Sequence, residues 1–331
     1  MKTTRLGTTD LIVSQLCFGC WGIVSDFHWG QRDLEQSVAT IHAALDRGVN
    51  FFDTASLYGD GASESLLGQA LVGCREQVVL ASKVRFDRMT SREVVTECED
   101  SLRRLQTDYL DLYQTHWTSR QTPLAESWDA MLRLQEQGKV RHLGVCNMGP
   151  LDLADVGVNQ PPVTNQLPYS LLWRMIETDI LPDCQRRAID VLAYSPLMHG
   201  LLADKYQSAA DVPDNRARSR HFSTDRPHTR HGEPGCEADT FAALDAIRGI
   251  CADLGRTMSD VALAWCLQQP GVACIIAGAS SPEQLKANAT CIENPLADDT
   301  LDALRQATEP LKQKLGPNPD MWQGADTTRF R

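Results

Sequence analysis

The sequence predicts an α/β fold, a (β/α)8 TIM barrel preceded by an N-terminal β-hairpin and followed by an extra C-terminal helix and a tail. Two observations predict it. Short apolar runs alternate with helical stretches along most of the chain, and eight such units can be counted. Ionisable side chains stand at the C-terminal ends of several of these runs, the rim where such barrels keep their chemistry.

The elements follow in order. Residues 1–15 read as a hairpin, with Gly7 between two strand-like halves, placed to plug the N-terminal end of the barrel. Residues 16–19 form the first barrel strand. Asp33 caps a helix over 33–47, in which Leu34, Val38, Ile41 and Leu45 recur at helical spacing until Gly48 stops it. The buried run 49–53 ends on Asp53, and Tyr58 lies five residues on. A helix at 62–72 leads to strand 78–82, followed at once by Lys83. Helix 91–105 carries Val94, Val95, Cys98, Leu102 and Leu105 on one side. Strand 109–115 is followed by His116, then come helix 123–137 and strand 140–145. A short helix after Gly149-Pro150, strand 163–166, helix 176–187 and strand 189–194 continue the rhythm. Helix 259–268, strand 272–276 and helix 282–293 complete it. The long connection 198–236 and the polar tail 316–331 interrupt it. No linker-like shift in composition divides the chain, so residues 1–331 are expected to form one domain.

With 331 residues, 42% of them hydrophobic, the chain can bury a large core. A net charge of −11 supplies no basic field for nucleic acid. The eleven cysteines are odd in number and scattered, no secretory leader is visible, and no apolar stretch reaches the ~18 residues of a membrane span. These features predict a protein of the reducing cytoplasm with no membrane partner. The Cys17–Cys20 C-x-x-C has no second ligand pair, so buried thiols are expected there and no metal site.

Each rim residue has an ordinary structural reading: Asp53 as a turn cap, Tyr58 as a rim aromatic, Lys83 as a solvated strand end, His116 as a buried histidine. As a set they suit proton transfer to a carbonyl oxygen. A free phenol with pKa ~10 donates poorly at neutral pH, and an ammonium beside Tyr58 is expected to lower that value. Asp53 would keep Lys83 charged, and His116 would hydrogen-bond the carbonyl oxygen.

Longer stretches carry a family resemblance. They include Asn50-Phe51-Phe52-Asp53-Thr54-Ala55-Ser56-Leu57-Tyr58-Gly59 and Ser101-Leu102-Arg103-Arg104-Leu105-Gln106-Thr107-Asp108-Tyr109-Leu110-Asp111-Leu112. Gly138-Lys139-Val140-Arg141, Leu143-Gly144-Val145-Cys146-Asn147, Ala193-Tyr194-Ser195-Pro196-Leu197 and Gly200-Leu201-Leu202 extend them over most of the chain. The sequence resembles the aldo-keto reductase family, and its bacterial sugar- and aldehyde-acting branch in particular. The resemblance implies a nicotinamide cofactor, no metal, and a catalytic tetrad of Asp53, Tyr58, Lys83 and His116. It assigns Asn147 and Gln166 to the nicotinamide carboxamide and Tyr194 to the ring. Leu197, Gly200, Leu201 and Lys205 match the stretch along the pyrophosphate, and Gly278, Ser280, Gln284 and Asn288 the adenosine end.

Two positions depart from the family pattern. Ser280 stands where many relatives carry a cation, and Cys146 replaces the usual serine before the amide residue. NADP(H) is the favoured cofactor, with Arg216, Arg218 or Arg220 available to compensate at the 2′-phosphate and NAD(H) as the alternative. The implied activity is interconversion of an aldehyde, ketone or sugar carbonyl with its alcohol. Trp21, His28, Trp29 and Trp117 are the expected substrate walls. The Arg-rich 198–236 segment is expected to close as a lid over the cofactor and to limit turnover. Two other classes are a nucleotide-binding, redox-sensing regulatory subunit, disfavoured by the intact tetrad, and a lyase or isomerase using Lys83 as a Schiff base.

Overall fold

A computed structural model describes residues 1–156 and 160–331. Strands β1 (Thr3–Arg5) and β2 (Ile12–Ser14) pair antiparallel as the expected hairpin. The chain then runs through β3 (Leu16–Gly19), α1 (Leu34–Asp46), β4 (Phe51–Asp53), α2 (Ala62–Ala70), β5 (Val79–Val84), α3 (Ser91–Leu105), β6 (Leu110–Thr115) and α4 (Leu124–Glu136). It continues through β7 (Val140–Cys146), α5 (Pro150–Asp155), β8 (Thr164–Pro168), α6 (Ile180–Arg186) and β9 (Asp190–Tyr194). The last elements are α7 (Glu237–Leu254), α8 (Met258–Leu267), β10 (Val272–Ala277), α9 (Pro282–Glu293) and α10 (Asp298–Leu315). Strands β3 to β10 pair parallel in sequence order, and β10 returns to β3 to close the barrel. The fold is the predicted (β/α)8 barrel.

Side-chain alternation divides the core in two. Phe18, Phe52, Tyr113, Leu143 and Leu167 face outward into a layer shared with the helices. Cys17, Phe51, Ala81, Leu112, Leu192 and Cys274 face the barrel axis, where Leu6, Leu11 and Val13 of the hairpin join them. The hairpin therefore plugs the barrel floor. Gly7, at φ +51, donates its N–H to Asp190 Oδ2 at 2.6 Å and ties the plug to β9. Phe18, Phe51 and Phe52 are fully buried, each contributing roughly 1.5–3 kcal/mol. The Asp33 cap forms as expected, its Oδ1 accepting from the N–H of Glu35 and Gln36. None of the eleven cysteines is disulfide-bonded, and Cys17 and Cys20 are buried.

Two segments differ from expectation. Helix α6 is shorter than 176–187, because Met175–Glu177 form a 3-10 turn and Asp179 is non-helical at φ −145. Helix α7 lies where the alternation predicts no element. Its buried face is Thr240, Ala243, Leu244, Ile247 and Cys251, side chains too small and mixed to leave a strong apolar stripe. It packs on α10, outside the barrel repeat.

The middle of the 198–236 segment is built into the body. Ser219, Arg220, His221 and Phe222 are buried. Arg220 pairs with Glu233 at 2.8 Å and donates to the carbonyls of Asn318 and Leu315 at 2.9 and 2.7 Å. The tail is equally fixed. Asp320 is buried and holds Arg329 at 2.7 Å, Phe330 meets the Trp117 ring edge-on, and the Arg331 carbonyl accepts from the N–H of Leu151 at 3.0 Å. A Cβ on Gly149 would overlap that carbonyl, so the tail's seat requires glycine.

Candidate active site

The period-2 alternation that buries Phe51, Ala81 and Leu112 toward the axis carries Asp53, Lys83 and Gln114 to the same side, one step nearer the rim. The three side chains meet there. Lys83 Nζ lies 2.6 Å from Asp53 Oδ2, donates to the Thr54 carbonyl at 2.9 Å, and reaches Tyr58 Oη at 3.3 Å. Asp53 Oδ1 accepts from Gln166 Nε2 at 2.9 Å and Gln114 Nε2 at 3.3 Å. Tyr58 opens the turn Tyr58–Gly61 after β4, and its ring meets His116 edge-on at 5.6 Å. All four predicted tetrad residues thus converge on one point.

Lys83 is completely buried. Burial opposes its charge, but Asp53, Tyr58 and Cys146 outweigh that and hold its pKa above the usual lysine value. A buried, ion-paired ammonium is a poor nucleophile, which removes the basis of a Schiff-base reading. Burial pushes Tyr58 up to about 12; Lys83 pulls the value down without overcoming burial. The sequence-based expectation of a lowered phenol pKa is therefore corrected: the ammonium limits a rise. Burial, then the charges of Lys83, Arg329 and Arg85, keep His116 neutral well below the usual histidine range. Its Nδ1 has no partner among the described residues.

A cavity of about 840 Å3 opens above this cluster. Asn147 and Tyr194 line it, and they are linked: Tyr194 Oη donates to Asn147 Oδ1 at 2.9 Å, while Asn147 Nδ2 donates to the His116 carbonyl at 3.1 Å. Asn147 and Ser195, each just past a strand end, hold φ of +59 and +54, backbone strain of the kind found at functional sites. Leu197, Gly200, Lys205, Gly278, Ser280 and Gln284 also line the cavity. Leu201 and Asn288 are buried behind this lining; Asn288 Nδ2 supports the Gly278 carbonyl at 3.2 Å. Ser280 N and Oγ donate to Gln284 Oε1 at 2.7 and 2.9 Å at the start of α9.

The predicted substrate walls face the same space. Trp21 stacks on Tyr58 at 6.0 Å and meets His28 and Trp29 edge-on. Asp26 fixes that loop, accepting from the Trp21 indole at 2.9 Å and the Trp29 amide at 2.6 Å. Trp117 lies under the Arg329 guanidinium, 3.4 Å from its ring centroid. Sequence reasoning missed Gln114, His199 and Arg329. Only Gln114 had a signal, two residues past the inward-facing Leu112. Of the arginines expected to compensate at Ser280, Arg220 is tied down inside the protein by the carbonyls of Leu315 and Asn318.

A carboxylate-anchored ammonium beside a phenol and a neutral imidazole, under a deep cavity, is equipped to exchange a proton with a carbonyl oxygen. The aldo/keto reductase family profile matches residues 15–309. The chain belongs to the aldo-keto reductase family. It is 33% identical to the aldo-keto reductase YhdN of Bacillus subtilis over 298 residues, 87% of each chain. It is 31% identical to the NADH-specific methylglyoxal reductase of Escherichia coli, covering 95% of this chain and 100% of that one. Among solved structures, the glycerol dehydrogenase of Gluconobacter oxydans superposes with a TM-score of 0.79 at 29% identity, over 96% of this chain and 97% of the other. This aldo-keto reductase is a carbonyl–alcohol oxidoreductase.

Proposed function

We propose that this aldo-keto reductase interconverts an aldehyde, ketone or sugar carbonyl with its alcohol, using a nicotinamide dinucleotide as hydride carrier and Tyr58 as proton donor and acceptor. The observation that carries the reading is Lys83, held 2.6 Å from Asp53 and 3.3 Å from the Tyr58 hydroxyl at the cavity floor. The residues present fit a dinucleotide. Two amides, Asn147 and Gln166, retain unused N–H and C=O capacity for a carboxamide. The Tyr194 ring offers a flat face, and the N-terminus of α9 offers backbone N–H groups to an anion. When bound, the cofactor supplies a hydride to the carbonyl carbon. Tyr58 gives its proton to the carbonyl oxygen, which becomes the alcohol, and Lys83 stabilises the phenolate left behind. Neutral His116 offers one N–H to orient the oxygen.

Ser280 brings no cation to the adenosine end, and Arg220 is occupied elsewhere. Both weaken the NADP(H) preference expected from sequence, and the NADH-specific relative points the same way. Side-by-side kinetics with NADPH and NADH decide between them. A panel of aldehydes, ketones and aldoses followed by nicotinamide absorbance tests the reaction, with Tyr58→Phe as control. That variant is expected to lose about 100-fold or more in turnover while still binding cofactor. Full activity in Tyr58→Phe overturns the assignment.

A further inference from the structure

Two arginines at or beside the cavity have carboxylate partners. Arg85 pairs with Asp60 and Asp87, and Arg329 with Asp320. Arg32, Arg216, Arg218 and Arg230 also line the cavity, yet among the described residues none forms an ion pair. Arg216 is held by its surroundings. It donates to the His28 carbonyl at 2.9 Å and lies 4.3 Å over the Trp29 ring. Among the described residues Arg218 has no comparable hydrogen bond and its buried Nε has no partner, while its guanidinium rests 5.1 Å over Trp322. The nearby Asp26 is already engaged by the Trp21 indole and the Trp29 amide. Burial, with Arg230 and Arg216 as like charges, lowers the Arg218 pKa. A half-buried guanidinium with no carboxylate partner, in a cavity lined by further arginines, suits an arriving anion.

Its position says what would bring that anion. Trp322 stacks on His199 at 5.4 Å, His199 meets Trp21 at 6.4 Å, and Trp21 stacks on Tyr58 at 6.0 Å. Arg218 therefore belongs to the aromatic wall that leads to the phenol. Resting on the carbonyl-reductase reading above, we propose that the substrate class is a carbonyl compound bearing a carboxylate or phosphate at its far end, with Arg218 as the group that binds that anion. Arg230 adds to the positive field, and the Trp21 and Trp322 rings flank the spacer.

Matched substrates test this: 4-carboxybenzaldehyde against its methyl ester, and erythrose 4-phosphate against erythrose. The expected result is a preference for one anionic member on the order of tenfold in kcat/KM, the favoured pair identifying carboxylate or phosphate. In Arg218→Gln that ratio falls to about one, and Arg218→Lys restores part of it. Terephthalate and inorganic phosphate, titrated by tryptophan fluorescence into cofactor-saturated wild type, give a readout independent of turnover. Binding lost in Arg218→Gln supports the site even if no carbonyl is reduced, in which case the reductase reading alone fails. A wild-type ratio near one in an enzyme that reduces neutral aldehydes overturns the proposal. So does an unchanged ratio in Arg218→Gln, or a loss confined to cofactor affinity. Should that variant misfold, the wild-type ratios and anion titrations decide by themselves.

Discussion

Gln166 donates from Nε2 to Asp53 Oδ1 at 2.9 Å, so the carboxylate that anchors Lys83 also anchors an amide lining the cavity. Asp53 uses one oxygen for the ammonium and the other for two glutamines. The proposed proton donor's lysine and the proposed carboxamide ligand are thereby tied to one side chain. The orientation of Lys83 toward Tyr58 depends on residues from three further strands, β5, β6 and β8.

Removing Gln166 separates these roles. In Gln166→Leu, Asp53 Oδ1 keeps only the weaker Gln114 contact at 3.3 Å, and a buried acceptor losing its partner costs about 1–3 kcal/mol. The expected outcome is a roughly tenfold lower kcat together with a raised cofactor Kd. Gln114 does not line the cavity, so Gln114→Leu should lower kcat and leave the Kd where it was. Cofactor titration by fluorescence alongside steady-state kinetics checks the split. Equal Kd values in both variants would remove Gln166 from the proposed carboxamide site.

The pH profile tests the proton donor. Tyr58 sits at about 12 because burial outweighs the pull of Lys83, while burial and nearby cations keep His116 neutral. Carbonyl reduction needs the protonated phenol and is expected to be flat from about pH 6 to about pH 9. Alcohol oxidation needs the phenolate, whose fraction rises roughly tenfold per pH unit below its pKa. Lys83→Met removes the charge that lowers that pKa, so oxidation should fall at every pH while its slope persists. A reduction rate that falls through a single midpoint near neutrality as pH rises would instead identify His116 as the titrating donor.

The barrel was legible because short apolar runs alternate with helical stretches, and the candidate tetrad because its polar residues stand at or just past the ends of those runs. Phe51 and Asp53, or Ala81 and Lys83, are two residues apart and share a face. Gln114 obeys the same rule but reads as strand interior, since nothing local shows that Asp53 waits across the axis. The tail was opaque for a different reason. Its polar run holds Asp320 and Arg329, which pair only once the chain folds back, and Phe330 reaches Trp117 from the far end of the sequence. The 198–236 segment reads as a lid from its length and its cluster of arginines, several of which line the cavity. Arg220 is nevertheless buried, satisfied by carbonyls of Leu315 and Asn318 that no local pattern reveals.

His221 is expected to make that segment sensitive to acid. Its Nε2 lies 2.9 Å from the Leu172 carbonyl and its Nδ1 3.1 Å from Ser219 Oγ. The carbonyl can only accept, so Nε2 carries the proton and Nδ1 accepts from the serine; the ring is neutral. Burial lowers its pKa to about 4 from the ordinary 6.5. Above the ordinary value both folded and unfolded chains hold it neutral, and there is no linkage. Between the two values the unfolded chain binds a proton that the folded chain refuses, so stability falls as pH drops from 6.5 toward 4. The full loss is on the order of 3 kcal/mol. His221→Gln keeps a donor for Leu172 but cannot titrate. It should be less stable than wild type near pH 7.5, because contact with the Trp173 ring is reduced, yet lose less stability on moving to about pH 5. Urea unfolding at both pH values checks this, and an unchanged pH dependence in the variant would exclude His221 as a source of the acid sensitivity.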